Sequence, residues 1–344
     1  MRKIRVMIID DSIMFREFLS RTLATDTSLE LVGSFADPIK AMEQIALLKP
    51  IVLLVDMEMP KMRGDEFLRT VLPKHPGVNA VVVSSLSKNV FEAMQAGAID
   101  FVGKPGSTPG YEKEQFTEDV IEKIKIAAAA SSQRPLAAVP AMPPLGVLPL
   151  AKAKTKSIIA IGASTGGTEA IIQVIKDFPS TTPGIVVVQH MPPVFTRLYA
   201  ERVDKLIAMK VREAKHGDRV EQGTVLIAPG GDLQMRIRNE GQGYSISLTK
   251  GPKVSGHCPS VDVLFESVAQ EAGSHAVGVI LTGMGADGAR ALKQIRDKGA
   301  HTIGQDENSS IVYGMPKVAY DLGGVVEQLP LTSIGQAVLR RFSR

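Results

Sequence analysis

The sequence predicts an α/β protein of two domains, each built on a largely parallel sheet. Three observations carry that prediction. Short apolar strand patterns alternate with helical patterns on both sides of one proline- and alanine-rich stretch. Many of the strands are apolar throughout, as strands covered on both faces are. Polar, chemistry-bearing residues recur where those apolar runs end, the edge at which open parallel sheets bind ligands.

In the first 130 residues the strand patterns are 5–10, 29–35, 51–56, 80–85 and 100–104, with helical patterns beginning near Ser12, Asp37, Gly64, Lys88 and Glu114. A linker is expected over 131–155, where Pro135, Pro140, Pro143, Pro144 and Pro149 stand among alanines and lysines and favour extended backbone. The second domain, 156–344, opens on the strand pattern 157–160 and continues through 185–190 and 211–214. Over 223–250 three apolar runs are separated by Gly-Gly-Asp and Glu-Gly-Gln-Gly, predicting an antiparallel hairpin insert. Strands at 277–281, 302–305 and 325–328, with helices between them, complete a doubly wound pattern.

The chain of 344 residues has a net charge of +4, but the excess is local. Residues 1–130 hold 16 Lys and Arg against 18 Asp and Glu, 131–156 hold four basic residues and no acid, and 157–344 hold 20 against 18. Neither domain has the basic bias of a nucleic-acid binder, so no nucleic acid is expected as partner. No apolar run nears the ~20 residues that span a bilayer, and the N-terminus runs directly into a strand pattern without room for a signal peptide. The single cysteine, Cys258, excludes an internal disulfide and fits a reducing cytoplasm. A cytoplasmic protein, not inserted in the membrane, is expected.

In the first domain the strand ends carry Asp10-Asp11, Asp56, Ser84-Ser85 and Lys104. Carboxylates gathered on one edge repel one another unless a cation sits among them, and oxygen donors of this kind suit Mg²⁺. A hydroxyl and an ammonium nearby could hold phosphoryl oxygens. Helix capping by Asp11 or Ser12 is the alternative at single positions. The set Asp10-Asp11-Ser12, Val55-Asp56-Met57-Glu58-Met59-Pro60, Ser84-Ser85 and Lys104-Pro105 resembles a response-regulator receiver domain, with a flavodoxin-like five-stranded parallel sheet. The resemblance implies Asp56 as phospho-acceptor and Mg²⁺ held by Asp10, Asp11 and Asp56. It also implies Ser84 as switch hydroxyl, Lys104 as a phosphoryl contact and Phe101 as switch aromatic.

In the second domain Gly162-Ala163-Ser164-Thr165-Gly166-Gly167 follows a strand and opens a helix. That spacing is a nucleophile elbow; it is also half of a dinucleotide fingerprint, with serine in place of the middle glycine. His190 and Asp287 lie at or beyond two other apolar strand ends, so one nucleophile, one base and one orienting carboxylate can meet at a common edge. The chain order, Ser then His then Asp, differs from that of the α/β-hydrolases. Locally, Asp287 reads better as the N-cap of the next helix, and only the glycine-rich 282–285 before it suggests a backbone brought close to a reacting group. His257 reads as a substrate contact or as a loop residue beside a Ser260 N-cap, and His75, His216, His275 and His301 read as solvated.

These segments, with Gln189-His190-Met191, Pro259-Ser260-Val261-Asp262, 281–288 and Tyr313-Gly314-Met315-Pro316, are similar to the catalytic domain of CheB-type chemotaxis methylesterases. The resemblance implies hydrolysis of glutamate γ-methyl esters on methyl-accepting chemoreceptors, with methanol released, and deamidation of receptor glutamines. It implies a triad of Ser164, His190 and Asp287 with no cofactor for ester hydrolysis. Backbone N–H groups near Thr165 and Met284 would form the oxyanion pocket. A chemotaxis histidine kinase would phosphorylate Asp56 and so open access to Ser164, and a monomer is expected. Cys258 stands where some members have arginine, which bears on receptor preference. A dinucleotide-binding domain and a DNA-binding regulator are the alternatives; the missing middle glycine and the near-neutral second domain weigh against them.

Overall fold

The computed structural model describes residues 3–85, 89–106, 112–130 and 156–342. The expected linker, 131–155, lies outside them. The chain divides into two compact units, Met1–Arg134 and Pro135–Arg344.

The first unit runs β1 (Ile4–Ile9), α1 (Ile13–Ala24), β2 (Leu29–Phe35), α2 (Pro38–Leu48), β3 (Val52–Asp56), α3 (Gly64–Val71), β4 (Asn79–Ser84), α4 (Val90–Gln95), β5 (Asp100–Gly103) and α5 (Lys113–Ala129). Among the described residues its sheet has five parallel strands in the order β2-β1-β3-β4-β5. Strands β3 and β4 are buried along their whole length, which is why their sequences are apolar and not alternating. Two helix starts are set as their sequences predict: Ser12 accepts from Phe15 N–H, and Asp37 accepts from Ile39 N–H ahead of Pro38. Strand order reverses between β1 and β3, so the ends carrying Asp10 and Asp56 face the crevice where such sheets bind ligands.

The second unit runs β6 (Ile158–Ala163), α6 (Gly167–Ile175), β7 (Gly184–Gln189), α7 (Phe195–Asp204), β8 (Lys210–Glu213), β9 (Arg219–Val220), β10 (Thr224–Ile227), β11 (Leu233–Asn239), β12 (Tyr244–Lys250), α8 (Val261–Glu271), β13 (Ala276–Ile280), α9 (Ala289–Asp297), β14 (His301–Gln305), α10 (Met315–Asp321), β15 (Glu327–Leu329) and α11 (Leu331–Arg340). Its main sheet has seven strands among the described residues, all parallel, in the order β15-β14-β13-β6-β7-β10-β8. The chain moves outward from β6 through β7 and returns on the other side of β6 at β13. The reversal therefore falls at β6, the strand that delivers Ser164.

One sequence expectation is corrected here. Thr224–Ile227, expected in the antiparallel insert, is instead β10 of the parallel sheet, paired with Ile185–Val187 and with β8. The insert is β11 and β12, completed by the two-residue β9, which is too short to leave a periodic signal. It is pinned to α8: Ile237 N–H donates to Ser267 Oγ, and the Asn239 side-chain amide donates to Glu271 O. Met235, Ile237 and Ile246 pack with Leu264, Phe265 and Val268 in one core, which fixes where α8 begins.

Candidate active site

Strand register alone brings the three second-unit residues together. Ala163 lies opposite Gln189 on β7, and Gly162 opposite Ile280 on β13, so the residues beyond these positions leave the sheet side by side. Ser164 leaves the central strand; His190 and Asp287 follow the two flanking ones. His190 Nε2 and Asp287 Oδ2 meet at 2.8 Å. Ser164 is partly exposed, whereas Asp287 is buried and the His190 side chain is only 8 % exposed.

The elbow is built by backbone and by neighbours. Ser164 N–H donates to Thr282 O, and Ser164 O accepts from Gly167 N–H and from the Gln189 side-chain amide. Gly166 takes φ +77°, a left-handed turn that lets α6 start immediately and aim its N-terminus beside the serine. Thr165 is buried, its carbonyl accepting from Thr282 Oγ1, and Met284 sits 45 % exposed on the facing glycine-rich turn.

Asp287 does not cap its own helix, since Gly288 occupies that position. It caps α8 instead. Its carboxylate accepts from Val261 N–H at 2.7 Å, Asp262 N–H at 3.0 Å and Ser260 Oγ at 2.7 Å, besides His190. Burial alone would raise its pKa. The His190 hydrogen bond and charge, with the N–H and hydroxyl donors, outweigh this and hold the carboxyl below its ordinary value. Asp262, buried close by, moves the other way: burial and the charge of Asp287 push it up.

A carboxylate can only accept, so Nε2 of His190 is the donor facing Asp287, and Nδ1 is the nitrogen left for another partner. That nitrogen is buried and has no hydrogen-bond partner among the described residues. Ser164 Oγ is thus not bonded to it in this conformation. The nitrogen that faces the carboxylate is thus Nε2, where the serine-protease triad uses Nδ1.

The structure brings His190 against Asp287 beside the Ser164 elbow, as the sequence predicts, and adds contacts to them that the sequence does not announce. Ser260 does cap α8, accepting from Val263 N–H, and also donates to Asp287. The His257 ring lies flat on that of His190, with centroids 3.6 Å apart and planes at 14°. No spacing rule announces either contact, because both cross from the α8 approach to other strand ends. His301, expected in solvent, has a side chain only 9 % exposed at the start of β14, 3.6 Å from Glu327. Burial lowers its pKa.

In the first unit, Asp10, Asp56, Ser84 and Lys104 come together at the ends of β1, β3, β4 and β5. Lys104 Nζ lies 2.8 Å from Asp10 Oδ2 and 2.9 Å from Asp56 Oδ2, and 4.5 Å above the Phe15 ring. Burial raises the pKa of Asp56, assisted by the charge of Asp10 and opposed by Lys104. Burial would lower Lys104, but its bond to Asp10 and the two carboxylate charges raise it. Oxygens of Asp10, Asp11 and Asp56 lie within 4.8 Å of one another, a hard donor set that fits Mg²⁺. Ser84 is buried with its Oγ donating to Ser85 O, and Phe101 is buried edge-on to Phe91.

Fold and site together define a class: a response regulator whose output domain is a hydrolase. A response-regulator receiver family model matches residues 6–111, and the CheB methylesterase model matches 159–338. The protein-glutamate methylesterase/protein-glutamine glutaminase 2 of Syntrophomonas wolfei is 50 % identical over 344 residues, covering 100 % of this chain and 99 % of that one. The protein-glutamate methylesterase/protein-glutamine glutaminase of Syntrophotalea carbinolica is 46 % identical over 99 % of this chain and 98 % of its own. The crystal structure of the Thermotoga maritima CheB methylesterase catalytic domain matches at TM-score 0.53 and 35 % identity, covering 54 % of this chain and 98 % of that one. The chain belongs to the CheB methylesterase family. Among the described residues no helix is long and apolar enough to cross a membrane.

Proposed function

We propose that the chain is a phosphorylation-regulated protein-glutamate methylesterase of chemotaxis adaptation, acting on methyl-accepting chemoreceptors and also deamidating their glutamines. The observation that carries this is the 2.8 Å contact between His190 and Asp287 beside the elbow that presents Ser164. Ser164 Oγ attacks the γ-carbonyl carbon while His190 Nδ1 takes its proton, and Asp287 stabilises the imidazolium that forms. The oxyanion meets backbone N–H groups at Thr165 and Met284, with the α6 N-terminus behind them. His190 returns the proton to the departing methoxide, releasing methanol. Water then cleaves the acyl-enzyme by the same steps in reverse. A glutamine substrate follows the same course and releases ammonia.

Residues 1–130 act as the receiver, 131–155 as linker and 156–344 as catalytic domain. Asp56 takes a phosphoryl group from a chemotaxis histidine kinase. Mg²⁺ held by Asp10, Asp11 and Asp56 would neutralise charge on the transferring phosphoryl group. Lys104 and Ser84 bind its oxygens, and Phe101 follows Ser84 in the switch, moving the population toward an active form. The protein works as a cytoplasmic monomer.

Methanol release from methylated receptor membranes, with and without a phosphodonor, tests the reading. We expect the donor to raise the wild-type rate but not that of Asp56→Asn, and Ser164→Ala to lower turnover by roughly 10³–10⁶-fold. A Ser164→Ala rate within tenfold of wild type would sink the assignment.

A further inference from the structure

His257 is not needed by the mechanism above, yet its backbone is fixed with care. Val254 and His257 exchange two hydrogen bonds of 2.9 Å across a two-residue turn. Its central residues, Ser255 and Gly256, have φ +51° and +86°, the mark of a type I′ turn. Serine in the left-handed region is strained, so the turn is held by its surroundings. Ser255 Oγ donates to Asp262 Oδ2, and Gln234 donates to His257 O while accepting from Ser260 N–H. Each anchor leads back to the segment that binds Asp287.

What this turn delivers is a second imidazole, 3.6 Å from the first and nearly parallel to it. Two cations cannot be stacked at that distance without strong repulsion. Ionisable groups near the pair include Asp287 behind His190, Asp262 beyond Ser255 with Arg290 near it, Lys253 and Cys258 on the same segment, and Asp232 facing Cys258. Asp287 bonds His190 at 2.8 Å, so the transferred proton is held on His190. An uncharged ring against the His190 face then meets the imidazolium as a cation–π partner and keeps water from that face.

We propose that His257 is a positioning residue for the ester hydrolysis. It braces the His190 ring with Nδ1 turned from Asp287, and offers an uncharged π face when His190 receives the serine proton. This rests on His190 being the general base.

The test compares full-length His257→Ala, His257→Phe, His257→Arg and His190→Gln with wild type. Each is measured with a phosphodonor on methylated receptor membranes, and circular dichroism confirms folding. His257→Ala is expected to lower kcat about tenfold with KM unchanged, the scale of a misplaced catalytic group. His257→Phe, flat and uncharged, recovers most of that loss. His257→Arg, flat but cationic, loses about tenfold more than His257→Ala. A His257→Ala turnover within twofold of wild type, or His257→Arg as active as His257→Phe, overturns the proposal. His190→Gln within tenfold of wild type would instead overturn the general-base reading, whatever the His257 series shows.

Discussion

Each unit buries an aspartate at the C-terminal edge of a parallel sheet and treats it in the opposite way. Asp56 ends a parallel strand among other carboxylates, with one ammonium for company, and burial raises its pKa. Asp287 follows a parallel strand into a cluster of donors, two helix N–H groups, a hydroxyl and an imidazole, and is held ionised. Burial works against the charge in both. The difference is the helix: α8 points its N-terminus at Asp287, while among the described residues Asp56 receives one backbone donor, Met57 N–H at 2.8 Å. A carboxylate short of donors keeps oxygens free for another ligand, as the proposed phosphorylation of Asp56 requires. One saturated with donors is ready to orient an imidazole and do nothing else.

The largest effect that would break this contrast is at Asp287. Asp287→Asn removes the charge that fixes the His190 tautomer, and methanol release should fall by about 10⁴-fold. It also removes an acceptor from the α8 N-terminus. Because the folded pKa of Asp287 is lowered, its charge stabilises the fold fully above the ordinary value of 3.8, and this contribution is lost as pH falls below it. The acid-unfolding profile of the catalytic unit should therefore flatten below pH 3.8 in the variant. An unchanged profile would show that the helix does not hold this carboxylate.

A pair of glycines sharpens the comparison at an intermediate scale. A Cβ on Gly283 would lie 2.7 Å from Ser164 Cβ, and one on Gly64 would lie 2.4 Å from Asp56 O. Gly283→Ala should lower methanol release by about 10²-fold through displacement of the serine, leaving phosphorylation of Asp56 intact. Gly64→Ala should do the reverse, slowing phosphorylation by an acyl-phosphate donor, and each should cost about 1–3 kcal/mol of stability in its own unit. Equal damage to both activities by either variant would mean that the sites are not separately built.

The smallest effect belongs to Asp56. A carboxyl whose folded pKa is raised loses stability as pH climbs from the ordinary 3.8 through the folded value. Asp56→Asn should then raise the melting temperature of the receiver at pH 7, and the gain should shrink as pH falls toward 4. Added Mg²⁺ should raise the wild-type melting temperature more than that of Asp56→Asn, which calorimetry with and without chelator would show. A lower melting temperature for Asp56→Asn at pH 7 would contradict the burial argument.

Much of this was legible in the chain because it is local. Val52–Val55 and Ile185–Val188 are apolar without alternation, and that reads directly as strands buried on both faces. Asp56, Ser164 and His190 could be singled out as candidates because each stands where such a run stops. What escaped was through-space. Thr224–Ile227 has the same β-forming composition as the insert beside it, and only pairing with β7 and β8 assigns it to the main sheet. Asp287 sits two residues before a helix and looks like its cap, but the carboxylate turns to α8, 25 residues upstream in sequence.

The sequence by itself therefore determined the strands, their chemistry-bearing ends and the glycines of the elbow, since periodicity and turn chemistry are properties of neighbouring residues. Only the tertiary structure decided which ends share an edge. It also decided which nitrogen of His190 faces Asp287, and that a second imidazole lies against the first. Those outcomes depend on strand order and on where α8 is docked by its core, and neither is encoded at any one position in the chain.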